Sequence, residues 1–280
     1  RPVETADPFA GMRSASWAGR AAKIGNLLRA NFVVWRGARR RKTAVVHTSA
    51  IPGFFCSWLG AKLAGAKVVY HIRTASRDQR TRWFEELAVL LADRSIAVSE
   101  ALREQIATTG HRLLREPLKK RIATIHNGFD FSAIDRFRQK SARPDVRARL
   151  GVSDRLVLLL VGGVFVDKGQ LRFLQDVFVK LARQLPEVLL VLVGGIKDER
   201  YSDACHRVVD GAGLADHVRF TGYLAQEDVY AWYQACDVLV LPSEREGLPR
   251  CAVEAQAFAR PVVATRVVGT EEAVADGRTG

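Results

Sequence analysis

Residues 237–265 read DVLVLPSEREGLPRCAVEAQAFARPVVAT. Val238–Leu241 is a short aliphatic run, and Pro242–Leu248 a polar loop. Pro249–Ala259 has a helical pattern, and Val262–Thr265 is a second β-branched run. Runs this short and apolar suit strands buried on both faces of a parallel sheet. The strand–helix–strand order makes the stretch one turn of a doubly wound α/β layer. Upstream, Leu156–Val161, Val188–Val193 and Val218–Thr221 repeat the strand pattern. Gln170–Leu185, Tyr201–Ala212 and Gln226–Ala235 alternate with them as helices, and Thr270–Asp276 follows the last strand. The first half repeats the theme. Ala44–Thr48, Lys67–Ile72, Ser95–Val98 and Arg121–Ile125 read as strands. Phe54–Ala64, Trp83–Leu91 and Ala101–Thr108 read as helices, with Ser99 at an N-cap position.

Two such alternations in 280 residues predict an α/β protein of two Rossmann-like domains facing across a cleft. The expected division is an incomplete N-terminal domain over 1–128, an interdomain linker over 129–153 and a C-terminal domain over 154–280. Asn127-Gly128 is a turn signal. Residues 129–153 read as the interdomain connection plus a short helix, from the polar text, Pro144 and the lack of a sustained period. Residues 1–16 read as irregular.

Charge divides along the same line. Residues 1–150 hold 29 Lys/Arg and 12 Asp/Glu, a net of +17, and residues 151–280 hold 14 and 18, a net of −4. The basic half is expected to face an anionic partner: a membrane surface, a phosphorylated acceptor or a nucleic acid. The lack of a recognition module and the acidic second half argue against nucleic acid. Trp17–Lys42 is a basic amphipathic helix with Trp17, Ala21, Ile24, Leu28 and Trp35 as its apolar stripe. It either lies on an anionic bilayer or docks on its own domain with its basic face outward. No apolar run reaches the ~18 residues of a spanning helix. Cys56, Cys205, Cys236 and Cys251 are far apart and form no C-x-x-C pair, which reads as reduced thiols in a cytoplasmic protein.

In sheets of this kind ligands bind beyond the carboxyl ends of the strands, so the loops after Val161, Val193, Thr221, Leu241 and Thr265 carry the search. Pro249 suits a first helical turn. The free N–H groups of Leu248 and Arg250 would then make an anion site suited to a diphosphate. Glu246 and Glu254 flank that site. As carboxylates they cannot hold phosphate, but they can accept hydrogen bonds from sugar hydroxyls.

Glu246 to Glu254 spells E-x7-E, and residues 237–265 resemble the donor domain of glycosyltransferase family 4. Val161-Gly162-Gly163 through Asp167-Lys168-Gly169 is similar to that family's G-R-x-x-x-x-K-G loop. His126-Asn127-Gly128-Phe129-Asp130 resembles its N-G-x-D junction, and Val218-Arg219-Phe220-Thr221-Gly222 its V-x-F-x-G strand. The resemblance covers roughly residues 43–280.

It implies a GT-B fold and a retaining glycosyltransferase. The donor would be a nucleotide diphosphate sugar, and the acceptor a glycan or a lipid-linked molecule. The expected setting is cell-surface polysaccharide or lipopolysaccharide synthesis, in the cytoplasm or peripherally at the inner membrane face. It implies no cofactor and no metal, in keeping with the absence of a D-x-D motif. Lys168 would neutralise the donor diphosphate beside Gly162 and Gly163. Glu246 would hold sugar hydroxyls, Glu254 the ribose, and Gly247 and the Leu248 amide the phosphate. Gly222 would border the base, and His71, at a strand end, would be the catalytic-cleft histidine.

The sequence departs from the pattern at two places. The family's diphosphate arginine falls on Gly163, with Arg245 and Arg250 as candidate replacements. The glycine-rich loop after the family's first strand has no match, so the N-terminal domain reads as incomplete and the extreme C-terminus as absent. Those departures support an alternative, a catalytically inactive homologue acting as a binding or scaffold subunit. Asp167 reads as a solvated neighbour of Lys168. Trp232 and Tyr233 read as core or interface, His47 and His126 as structural, and His206 and His217 as exposed.

Overall fold

A computed structural model describes residues 17–76, 78–140 and 142–280. The segment expected to be irregular over 1–16, and the side chains of Trp17 and Ala21, lie outside the described residues. The chain forms two compact units, the first ending at His126 and the second running Asn127–Gly280.

The first unit opens with α1 (Trp17–Arg40), followed by β1 (Val45–Ser49), α2 (Ile51–Leu63), β2 (Lys67–Ile72) and α3 (Gln79–Leu91). Then come β3 (Arg94–Ala97), α4 (Glu100–Thr109), α5 (Arg115–Arg121) and β4 (Ile122–Thr124). The four strands are parallel in the order β1-β2-β3-β4. Ser99 caps α4 as its position suggests, its Oγ accepting from the Leu102 N–H at 3.2 Å.

α1 packs on α2 through the later part of the expected stripe, around Asn31, Trp35 and Ala38, and not along its whole length. Ile24 and Leu28 are 59% and 57% exposed, beside exposed Phe32 and Val33. The buried positions are Asn31 and Ala38, which continue the line of Ile24 at seven-residue steps toward the end of the helix. Asn31 decides the docking. Its Nδ2 donates to the Phe55 carbonyl at 2.8 Å, and its Oδ1 accepts from the Gly60 N–H at 2.9 Å. A polar residue at the centre of a packing face is invisible to a search for apolar periodicity.

The second unit begins with two helices, α6 (Phe131–Lys140) and α7 (Arg143–Leu150). This corrects the connection with one short helix expected over 129–153: there are two helices, and Ile134 and Val146 are buried in the unit's core. Each short helix brings one fully buried residue and one partly buried one, Phe137 in α6 and Leu150 in α7, among charged neighbours, too short a pattern to show a sustained period. Arg143 and Arg147 anchor α7 through Asp237, at 2.5 and 3.2 Å.

The sheet of this unit contains β5 (Leu156–Val161), β6 (Val188–Val193), β7 (Val218–Gly222), β8 (Val238–Leu241) and β9 (Val262–Ala264). All pairings are parallel, in the order β7-β6-β5-β8-β9. Val157, Leu159, Leu189 and Val191 face one buried core, while Leu158, Leu160, Leu190 and Leu192 face the other. Each such side chain contributes roughly 1.5–3 kcal/mol by leaving water. The helix expected over 170–185 is α8 (Gln170–Phe173) and α9 (Val179–Gln184), joined by a π-helical turn at Leu174–Phe178. The remaining helices are α10 (Glu199–Gly211), α11 (Gln226–Ala235), α12 (Arg250–Ala257) and α13 (Thr270–Ala273). No described helix is long and apolar enough to cross a membrane.

Candidate active site

Strand order reverses at β5, which has β6 on one side and β8 on the other. Loops leaving the carboxyl ends of neighbouring strands splay apart at such a switch point and leave a crevice between them. The loop after β5 carries Gly162, Gly163 and Lys168; the loop after β8 carries Glu246, Gly247 and Leu248.

These two loops are stitched together. Gly169 ends a 3-10 turn at Val166–Lys168 with φ +69°, and a Cβ there would sit 2.0 Å from the Pro242 carbonyl oxygen. Only glycine fits that approach. The Glu244 N–H donates to the Asp167 carbonyl at 2.9 Å, and Arg245 Nη1 lies 3.3 Å from Asp167 Oδ2. Asp167 is thus a loop fastener and not a solvated neighbour of Lys168. Gln170, fully buried, donates from Nε2 to the Gly163 carbonyl at 2.8 Å and holds the glycine pair in place.

The result is a direct ion pair. Lys168 Nζ donates to Glu246 Oε1 at 2.5 Å, and Glu246 is only 8% exposed. Lys168 has three donors and the pair uses one; Glu246 Oε2 remains as an acceptor. The pair can therefore present a cation to phosphate and a carboxylate oxygen to a hydroxyl without being broken. Gly269, with φ +80°, packs on the far side of this loop, where a Cβ would meet the Gly247 carbonyl oxygen at 1.8 Å.

α12 starts at Arg250 with Pro249 as N-cap, so the expected proline-led helix start is present one residue later. Among the described residues the Leu248 N–H has no acceptor. Glu254 lies one turn into α12. Its Oε2 accepts from the hydroxyl of fully buried Tyr233 at 2.9 Å, and Arg250 Nη2 stands 3.5 Å from its Oε1. Tyr233 and Trp232 belong to the core, and Tyr233 also orients a site carboxylate, a role their helical spacing did not suggest. Burial, reinforced by the carboxylate of Glu246, pushes the Cys251 thiol up to about 12. This keeps Cys251 a neutral thiol. All four cysteines are unpaired.

Gly222 has φ +69°, and its carbonyl accepts from the Gly194 N–H at 2.9 Å. The loop after β7 thereby joins the loop after β6, with Tyr223 highly exposed beside it. Lys197 of that β6 loop was not singled out by the sequence, because no motif marks it.

His71 belongs to the first unit. Its ring stacks on His47 of the neighbouring strand at 5.3 Å, and its buried Nε2 has no partner among the described residues. Burial lowers its pKa from 6.5, and the charges of His47 and Arg73 lower it further. His47 and His126 are exposed; His206 is exposed as read, while His217, read as exposed, is partly buried and bonded to the Val188 carbonyl at 2.9 Å. Among the described residues no three His, Cys, Asp or Glu side chains gather as a metal site.

Comparison with known proteins identifies relatives of both units. The family described as glycosyltransferase family 4 matches residues 12–133, and that described as glycosyl transferases group 1 matches residues 155–280. A D-inositol 3-phosphate glycosyltransferase of Streptomyces avermitilis is 30% identical over 261 residues, covering 88% of this chain and 55% of its own length. That of Streptomyces scabiei is 31% identical over the same length, covering 88% and 58%. The chain thus spans a little over half of these curated relatives. A crystal structure of Anabaena HepE in complex with UDP and glucose superposes with a TM-score of 0.71 at 24% identity, covering 88% of this chain and 65% of that one. That likeness establishes the fold.

Proposed function

This chain belongs to glycosyltransferase family 4 and has its GT-B fold, and on that premise we propose that it takes part in transferring a sugar from a nucleotide diphosphate sugar. The observation that carries the proposal is the Lys168–Glu246 pair at the sheet's switch point, 2.5 Å between Nζ and Oε1. Lys168 and the Leu248 N–H receive the diphosphate, stabilising the negative charge that develops on the leaving group. Glu246 Oε2 accepts hydrogen bonds from sugar hydroxyls, and Glu254 from the ribose. Gly162, Gly163 and Gly247 let the backbone approach the phosphates, and Gly222 borders the base. The transfer needs neither a metal nor a protein nucleophile, and it proceeds with retention.

For the acceptor, a phosphate-bearing molecule is the leading reading. The net charge of +17 over residues 1–150 favours an anion, and the relatives named above are called D-inositol 3-phosphate glycosyltransferases. A glycan or lipid-linked acceptor at the inner membrane face, as expected from the sequence, is the second reading. It is supported by exposed Ile24, Leu28 and Phe32 on the arginine-rich helix α1. His71 lies in that unit and is proposed to line the acceptor side.

The test is transfer from UDP-, GDP- and ADP-glucose to inositol phosphate or to an extracted lipid acceptor, with and without EDTA. An α-linked product, insensitive to EDTA and absent with Lys168→Ala, is expected. Inverted product, or activity that EDTA abolishes, would overturn the mechanism.

A further inference from the structure

We propose that Lys197 supplies the second cation of the donor-phosphate site, standing in for the side chain that Gly163 lacks. The inference rests on the donor-site reading above and adds a residue to it.

Two lysine stems lie against two successive glycines. A Cβ on Gly162 would meet Lys168 Cδ and Cε, both at 3.5 Å. A Cβ on Gly163 would meet Lys197 Cε at 2.9 Å, Cδ at 3.1 Å and Cγ at 3.3 Å. Lys197 thus fills the space into which a side chain at 163 would grow. The backbone puts it there. The β5–β6 pairing continues past the strands as a parallel bridge between Val164 and Ile196, and the Lys197 N–H donates to the Val164 carbonyl at 3.1 Å. The ammonium stands 5.1 Å from the centre of the Phe165 ring, within the range of a cation–π contact. Phe165 belongs to the same loop as Lys168. No carboxylate pairs with Lys197 among the described residues. Arg245 and Arg250, the other candidates for the missing charge, lie 3.3 Å from Asp167 and 3.5 Å from Glu254.

A diphosphate carries more charge than one ammonium neutralises, and Lys168 already shares its charge with Glu246. A second cation beside the glycine pair would balance the two phosphates. A side chain at 163 and the stem of Lys197 contend for the same space, so the stem must shift wherever residue 163 carries one.

The test is calorimetric titration of the full chain with UDP, GDP and ADP, taking the tightest binder and its monophosphate. Lys197→Met should weaken diphosphate binding about tenfold and monophosphate binding far less, at unchanged melting temperature. Lys197→Arg should bind as the native chain does. The exchange Gly163→Arg with Lys197→Ala should recover most of the loss, since the space at 163 is then open. If Lys197→Met binds diphosphate like the native chain while Lys168→Met does not, the assignment of Lys197 fails and the donor site stands. If neither substitution matters, or no diphosphate binds, both fail together.

Discussion

Lys168 and Glu246, 78 residues apart in sequence, meet at 2.5 Å between Nζ and Oε1 and join the loops leaving β5 and β8. The pair is largely shielded from solvent, so each partner depends on the other. Removing only the cation leaves a carboxylate buried without compensation, which costs about 3 kcal/mol; removing both charges costs less than the sum. Lys168→Met should therefore destabilise the chain more than Lys168→Met with Glu246→Gln. Urea denaturation of the four members of this cycle measures the coupling. Additive effects would show that the pair does not hold the loops together.

Glu254 offers a separate handle on the nucleotide. Tyr233→Phe removes the hydroxyl that donates to Glu254 Oε2 at 2.9 Å while keeping the ring in the core. Under the ribose assignment it should weaken nucleotide binding by about three- to tenfold through loss of one hydrogen bond that orients the carboxylate. Glu254→Gln should weaken it at least as much. Turnover at saturating donor should change little, because ribose contacts act alike in ground and transition states. A large fall in turnover with unchanged donor affinity would place Glu254 elsewhere in the reaction.

His71 should titrate below 6.5, held there by burial first and by His47 and Arg73 next. A base whose folded pKa is depressed binds fewer protons folded than unfolded. Its contribution is therefore present above 6.5 and disappears as pH falls through the folded value. His47→Asn should raise the His71 midpoint part of the way, since burial, the larger cause, remains. Imidazole proton NMR across pH 4–8 reads both midpoints, and a His71 midpoint at or above 6.5 would contradict the stacked, partly buried ring.

Acid should also loosen the first unit at Asp93. Burial pushes this carboxyl up, but hydrogen bonds from Lys62 at 2.6 Å and the Val68 N–H at 2.8 Å hold it at about 2. Its stabilisation is full above the unfolded value of 3.8 and is lost as pH falls from there through about 2. Asp93→Asn should cost about 2 kcal/mol at neutral pH and flatten this part of the acid profile. An unchanged acid profile in the variant would remove Asp93 from the account.

The strand text was legible because β5 and β6 are apolar on both faces: Val157 and Leu158 face opposite cores, and so do Leu189 and Leu190. Such runs announce themselves without periodicity. The candidate site was legible for the same reason that it is local. Gly162–Lys168 and Glu246–Glu254 are compact motifs at strand ends. Three features were not legible. Asn31 docks α1 with a polar side chain, so the apolar stripe did not tell which part of the helix is buried. Ile134 and Val146 each stand among charges, so α6 and α7 looked like a connection with a single short helix. Lys197 reaches Gly163 only through sheet order, because β5 and β6 are neighbours although 34 residues separate Gly163 from Lys197 in sequence.

The central claim is the location of a diphosphate site at the carboxyl ends of β5 and β8. Amide NMR of the isotopically labelled chain, titrated with UDP, GDP or ADP, tests it most directly. The account predicts that the largest shifts fall on Gly162, Gly163, Lys168, Gly247 and Leu248, and that they vanish in Lys168→Met. Shifts concentrated on the arginines of α1, or saturable binding that leaves those five amides unmoved, would contradict it.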